Sequence, residues 1–504
     1  MSVFRTPLRA SIFAGWLCSA GLGTAVADMP ADITAPRANL DMGRIEAAVK
    51  DYMEHTHTPA VSVYVDQGGT PLLVHAWGVA DIENNLPASP EVAFEMGSIS
   101  KSVTAHAVLQ LLVSGKLALN GKVTDYLPAC TGPASNATIE QLLTHTAGLP
   151  DLMYAIPSLQ GRLESGKAGI PEIAAAICAA PLSFASGSRY SYSNSNYYLL
   201  GLIIEKVTGR SYSDFVEHDV IEPLHVGDFR CGEEAQSFPQ RAAGYGLQRD
   251  GKLKRTKSMD IAPSFSAGCW VVTASTLGRY RRAVFKSTLV DPRVRNLFTT
   301  ATQTSNGAID DYVLGGMRRS RFHDLLAYTH AGGSWGQSSY NAYYPERDLT
   351  VVVMTNENPG PTGANYLERA IARIILGIRF PVAPGGTSVH SPARFVGRYI
   401  RVDAPRAPRA VGDAPRYQLV TLQGQQLAIT SADSDEAPPE SMSAPAVPLA
   451  VVKGESFAAS PDGLAPEPEE ELGVYRFSGR DSKGHALNLY VGETQTAYRF
   501  APSH

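Results

Sequence analysis

The sequence predicts an α+β fold: an antiparallel sheet flanked by helices, interrupted by an all-helical insertion, and followed by a small all-β, barrel-like C-terminal domain. Three observations carry this. Runs rich in β-branched and aromatic residues cluster at 60–80 and again at 325–355, so one sheet must draw strands from both places. The stretch between, about 117–245, has helical periodicity with Pro- and Gly-rich joints. Beyond a Pro/Gly/Ser linker at 381–393, short strand-like runs recur from 394 to the end.

The chain has 504 residues, 44% apolar and 18% charged, with a formal net charge of −4. That suffices for two or more domains with a sizeable core, and no basic stripe invites nucleic acid. Residues 1–27 read as a signal peptide. Arg5 and Arg9 give a positive start, 10–23 is apolar, and Ala25-Val26-Ala27 before Asp28 suits small-residue cleavage. The run is short for a membrane span, so no stable membrane insertion is expected after cleavage, and the protein is expected in the periplasm or the medium. Cys18 follows Trp16-Leu17, where a lipoprotein signal wants small residues, so lipidation is not expected. Cys130, Cys178, Cys231 and Cys269 remain. They can form disulfides in three pairings or stay as buried thiols, and no Cys-x-x-Cys pair suggests zinc.

Taken in order, 36–53 forms a helix with Met42, Ile45, Val49, Tyr52 and Met53 on one stripe. Strands at 60–66 and 71–80 follow, joined by Gln67-Gly68-Gly69-Thr70. The segment Phe94-Glu95-Met96-Gly97-Ser98-Ile99-Ser100-Lys101 then runs into a helix with few charges, closed by Gly115. A helix apolar around most of its circumference belongs in the middle of a domain. In the insertion, one short helix ends within 142–150. A second covers 197–207, with Leu199, Leu200, Ile203, Ile204 and Val207 apolar and Gly209 as its stop. A meander of strands at 325–330, 337–344 and 349–355 is separated by 331–334 and 345–348, and a helix at 365–376 closes the domain near 380. The C-terminal strands fall at 395–401, 416–421, 426–430, 449–453, 474–478 and 486–491, with 433–448 and the acidic 461–471 as loops.

The chemistry centres on Ser98 and Lys101, which share a face on the first helical turn. A serine hydroxyl needs a base, and a lysine held in a dry site loses its charge readily enough to be one. The helix N-terminus sets backbone N–H groups beside the serine, where oxyanion charge would develop. A lone Ser-x-x-Lys is weak, since about one chance match is expected in a chain of this size. Two further segments strengthen it: Tyr190-Ser191-Tyr192-Ser193-Asn194-Ser195-Asn196-Tyr197 at the mouth of the second insertion helix, and His330-Ala331-Gly332-Gly333 at the end of a strand.

Together these resemble the Ser-x-x-Lys, Tyr-x-Asn and Lys/His-x-Gly motifs of the serine β-lactamase and penicillin-binding protein superfamily. The likeness is to its class C β-lactamase-like branch, with D-aminopeptidases, DD-carboxypeptidases and family VIII-type esterases. Leu143-Thr144-His145-Thr146-Ala147-Gly148-Leu149-Pro150 and Ser266-Ala267-Gly268 match in the same order, over about 40–380. The resemblance implies a β-lactamase/transpeptidase-like fold and an acyl-enzyme formed without metal or cofactor. Ser98 would be the nucleophile, Lys101 would take or relay its proton, and Tyr192 would serve as a base if a nearby lysine cation favoured its phenolate. Asn194 would hold Lys101 and the substrate carbonyl. The backbone N–H groups of Ser98 and Gly333 would form the oxyanion hole, with His330 and Gly332 completing the third motif.

Where β-lactamases usually carry lysine and then a hydroxyl residue to hold a carboxylate, this chain has His330 and Ala331. A histidine mostly neutral near pH 7 and an alanine weaken carboxylate recognition twice. The expectation is an exported serine hydrolase of small ester or amide/peptide substrates. The alternatives are a β-lactamase or DD-carboxypeptidase, and, from another class, an acylatable binding or sensor protein without turnover. His106 and His145 read as structural, and His55 with His57 makes a weak metal pair. Gly332-Gly333-Ser334-Trp335-Gly336 is a literal Gly-x-Ser-x-Gly, but the residues after it are strand-like and no helix follows, as a hydrolase elbow would need.

Overall fold

The computed structural model describes residues 40–378, apart from 160–161, 164–166, 249–250, 257–260, 306, 308–310, 323–324 and 359–362, together with the backbone of eight strands between 397 and 501. The signal segment and the 381–393 linker lie outside the described residues.

An eight-stranded antiparallel sheet forms the frame. Its strands are β1 (Ala60–Gln67), β2 (Thr70–Asp81), β3 (Leu86–Pro87), β4 (Tyr312–Val313), β5 (Met317–Phe322), β6 (Leu325–Ser334), β7 (Gln337–Tyr344) and β8 (Leu349–Thr355). Their order is β3-β2-β1-β8-β7-β6-β5-β4. β1 lies beside β8 with Val63 opposite Val353, so both ends of the domain share one sheet, as expected. Alternation along these strands sends Val61, Val63, Val65, Val351 and Val353 into a core with Ile45, Val49, Leu367 and Ile371 of the flanking helices Met42–Thr56 and Ala364–Leu376. Tyr64, Val352 and Met354 join the larger core on the other face, around the helix Ser100–Val113. Both faces are covered, so β1 and β8 carry apolar residues on both, with buried polar residues such as Ser62 and Thr350 among them.

Several boundaries differ from those read in the sequence. The first helix begins at Met42 because the Asp41 carboxylate caps it, accepting from the Arg44 N–H at 3.1 Å. The insertion carries the helices Ile139–Leu143, Ile170–Ala179 and Asn194–Thr208. It is not all helical: Arg230–Cys231 pairs with Trp270–Val272, which also pairs with Phe94–Glu95 just before Ser98, and Tyr245–Leu247 pairs with Leu253–Arg255. Pieces of two or three residues are too short to show a period. β5 escapes a pattern reading because Arg318, Arg319 and Arg321 lie on it, charge being common near a sheet edge. β6 continues through Ser334, so His330 to Gly333 lie within a strand, and the reversal is Trp335-Gly336. The cysteines pair as Cys130–Cys178 and Cys231–Cys269.

The C-terminal strands close into a barrel: Gly397–Arg401, Tyr417–Gln423, Gln426–Ala432, Val447–Lys453, Ser456–Ala459, Val474–Arg480, Ala486–Val491 and Thr496–Ala501. Closure leaves no strand edge unpaired. Ser456–Ala459 and Thr496–Ala501 add to the six strands read from the sequence, and Val447–Lys453 begins inside the stretch read there as a loop.

Candidate active site

Ser98 sits on a 3₁₀ turn, Gly97–Ile99, which feeds directly into the helix Ser100–Val113. Strand β6 lies backbone to backbone against this turn. Gly97 has φ +51°, and a Cβ there would stand 2.7 Å from the Gly333 nitrogen. A Cβ on Gly332 would come within 1.9 Å of the Met96 carbonyl oxygen. Only glycine permits both approaches. Ser339 on β7 completes the seam by donating its hydroxyl to the same Met96 carbonyl at 2.8 Å.

Lys101 is fully buried on the helix. Its Nζ has three neighbours: Asn194 Oδ1 at 2.8 Å, the Ala267 carbonyl oxygen at 2.9 Å and Ser98 Oγ at 3.1 Å. The first two oxygens can only accept. A neutral amine has two hydrogens and one lone pair. Its hydrogens therefore go to Asn194 and Ala267, and the lone pair is left for the Ser98 hydroxyl. Burial favours that neutral state and lowers the Lys101 pKa to about 7, with Asp151 opposing the shift.

Asn194 opens the helix Asn194–Thr208, and its amide is held from behind. Its Nδ2 donates to Asp151 Oδ2 at 2.9 Å, and its backbone N–H donates to the same oxygen at 2.7 Å. Ala267 lies just beyond Phe265, whose φ of +28° is rare for a bulky side chain.

Tyr192 packs its ring 4.9 Å from Lys101 Nζ and is half-buried, with its hydroxyl shielded from solvent. Burial holds its pKa well above 10. Its hydroxyl closes no hydrogen bond of ordinary geometry among the described residues, though the Ser98 hydroxyl lies near enough to ease its ionisation. The expectation that a lysine cation would favour the phenolate is therefore corrected. Desolvation is the largest cause of that shift, and the lysine is itself close to neutral. Behind Tyr192, the His145 ring lies 4.3 Å away between centroids. His145 Nδ1 accepts from the Ser193 N–H and the Asn196 amide, which fits a structural role.

His330 and Gly332 do not line the cleft. His330 is buried behind it, with Nδ1 donating to the Ala331 carbonyl at 2.6 Å and Nε2 accepting from the Tyr312 hydroxyl at 2.9 Å. Burial, with Lys101 nearby, lowers its pKa to about 3, so the ring is neutral. Gly332 serves the close approach of the strand. Ser334 ends β6 before a two-residue turn, so no elbow forms there.

A cleft of about 320 Å³ opens over Ser98, Tyr192, Asn194, Ala267 and Gly333. Met153, Tyr154 and Trp335 give it apolar walls, and Ser264, Ser334 and Asn358 add polar groups. A larger hollow of about 870 Å³ lies between the Met42–Thr56 helix and Trp77, and it holds none of these groups. The chemistry, not the volume, marks the smaller one. Asp151 was missed in the sequence although it directly follows the Leu149-Pro150 of a matched segment. Tyr154, Trp335 and Tyr312 gave no signal of their own.

The beta-lactamase family model matches residues 45–375. The chain is 26% identical over 324 residues to Protein flp of Staphylococcus aureus (strain MRSA252), covering 62% of this chain and 63% of that protein. The chain thus spans under two thirds of the length of such curated relatives. The octameric penicillin-binding protein homologue from Pyrococcus abyssi superposes with a TM-score of 0.62 at 20% identity, over 92% of this chain and 99% of that one. A D-amino acid amidase from Ochrobactrum anthropi SV3, complexed with L-phenylalanine amide, gives a TM-score of 0.57 at 21% identity, over 67% of this chain and 98% of that one. At such identities these two structures bear on the fold alone.

Proposed function

The chain belongs to the beta-lactamase family, and from that premise we propose that it is an exported serine hydrolase forming an acyl-enzyme on Ser98 with ester or amide/peptide substrates. The observation that carries this reading is the set of contacts around Lys101. Two acceptor-only oxygens occupy its hydrogens, which leaves its lone pair for Ser98 Oγ at 3.1 Å.

In the reaction, Lys101 takes the Ser98 proton as Oγ attacks the substrate carbonyl carbon. Charge developing on the carbonyl oxygen meets the backbone N–H groups of Ser98 and Gly333. Tyr192 keeps its proton at rest, so it is suited to protonate the leaving group and to be recharged from the lysine ammonium. Release of alcohol or amine leaves an ester on Ser98. Water then hydrolyses that ester, with the same groups moving the proton in reverse.

The choice of substrate class rests on His330 and Ala331. A neutral, buried histidine offers no charge to a substrate carboxylate, and alanine offers no hydroxyl. The apolar walls of Met153, Tyr154 and Trp335 suit a hydrophobic acyl or side-chain group. Export is supported by the N-terminal segment and by two disulfides, which persist in oxidising compartments.

The test is a panel of a short-acyl p-nitrophenyl ester, phenylalanine amide in both configurations, and a chromogenic cephalosporin, for wild type and Ser98→Ala. Ester or amide turnover lost in the variant, with the cephalosporin spared, is the expected result. Fast cephalosporin opening would make the protein a β-lactamase. One stoichiometric burst without turnover would make it an acylatable sensor.

A further inference from the structure

We propose that Asp151 is a positioning residue for the reaction at Ser98: it holds the Asn194 amide so that its oxygen faces Lys101, and it sets a carboxylate across that amide from the lysine. The proposal rests on the acyl-enzyme reading of Ser98.

Asp151 is 1% exposed. Its Oδ1 accepts from the Met153 N–H at 2.8 Å, and its Oδ2 accepts from the backbone N–H and the Nδ2 of Asn194 at 2.7 and 2.9 Å. No ion pair to it is formed among the described residues, so it is a buried carboxylate held by N–H donors alone. The two ends of an asparagine amide have nearly the same shape, so only hydrogen bonding decides which way it points. A carboxylate can only accept. It therefore draws the NH₂ end of Asn194 and turns the oxygen to Lys101, 2.8 Å away. With the amide reversed, donor would face donor at Lys101 and acceptor would face acceptor at Asp151.

Charge acts through the same three groups. Asp151 faces Lys101 across the Asn194 amide, and Tyr154 and Tyr192 also feel its field. Lys101 has the rings of Tyr192 and Tyr197 beside it, with His145 and His330 nearby, both neutral at working pH. Of these groups Asp151 is the one carboxyl. Three N–H donors favour its ionised form, against the burial that raises its own pKa. Its field favours the lysine cation and offsets part of the desolvation.

The experiment is the pH dependence of Ser98 phosphonylation by a fluorophosphonate, followed by intact mass in wild type, Ser98→Ala, Asp151→Asn and Asp151→Glu. In that step Ser98 Oγ bonds to phosphorus, fluoride leaves, and Lys101 takes the proton. The rate rises with pH as Lys101 becomes neutral. In Asp151→Asn the midpoint moves to lower pH by about one unit, and the plateau rate falls about tenfold as Asn194 loses its fixed orientation. Asp151→Glu keeps the wild-type midpoint. A variant that was merely less stable would lose plateau without moving the midpoint. If Asp151→Asn does not fold, Asp151→Ser, which also removes the charge, makes the same comparison. An unmoved midpoint in the folded uncharged variant overturns the proposal while the acyl-enzyme reading stands. Wild type that fails to label at Ser98 overturns both.

Discussion

Lys101 is buried with two acceptors and one hydroxyl around it, and that arrangement has a pH signature. Its pKa is lowered to about 7, so the reactive neutral form gains as pH rises through that value. The plot of kcat/KM against pH in the wild type should climb from acid with a midpoint near 7. A flat profile, or a midpoint near the value of a free lysine, would contradict the assignment of the base. Burial holds the Tyr192 pKa well above 10, so the neutral phenol is its favoured resting form. Ser98, Lys101, Tyr192 and Asn194 were legible in the sequence because fixed spacing on a helix and in ordered motifs marks them. Asp151 was not. An aspartate after a proline reads as a turn residue, and its contact with Asn194 exists only once the fold brings the two segments together.

At the scale of elements, the site depends on how closely strand β6 approaches the turn that carries Ser98. Gly332→Ala would push a methyl into the Met96 carbonyl, 1.9 Å from the ideal Cβ position, where neither backbone can yield cheaply. Such overpacking costs about 1–3 kcal/mol. Thermal denaturation should show that loss, and kcat should fall further than stability alone explains because Gly333 moves with the strand. Activity unchanged in a folded Gly332→Ala would show that the seam does not place the nucleophile. The sequence located this strand but ended it too early, at His330, because Ala331-Gly332-Gly333-Ser334 looks like a turn. The glycines are there for contact between backbones, which strand propensity cannot see. Strand β5, next to the sheet edge, was missed for the opposite reason, since its three arginines resemble a solvated loop.

For the whole molecule, the sheet built from both ends of the domain was legible, because β-branched runs cluster at 60–80 and 325–355 with a mostly helical stretch between them. The disulfide pairing was not, since spacing alone left three choices. Burial on this scale also sets acid stability. His106, His145 and His330 are buried and neutral, with pKa values lowered to about 4, well below 6.5, and to about 3. The unfolded chain binds their protons near pH 6.5, whereas the folded chain does not. Stability is therefore full above that pH and is lost as pH falls towards the folded values, each histidine steepening the loss by up to about 1.4 kcal/mol per pH unit. Denaturant unfolding at several pH values should show this decline below pH 6.5, with a shallower slope in a folded His106→Gln variant. The same slope in both would remove His106 from the account.

The central claim is that Ser98 carries the acyl group, and the most direct measurement is to find that group. Wild type quenched in acid during turnover of a p-nitrophenyl ester should gain the mass of one acyl group, and peptide mapping should place it on Ser98. Ser98→Ala should gain none and turn over no ester. An acyl group on another residue, or turnover that survives in Ser98→Ala, would contradict the account at its root.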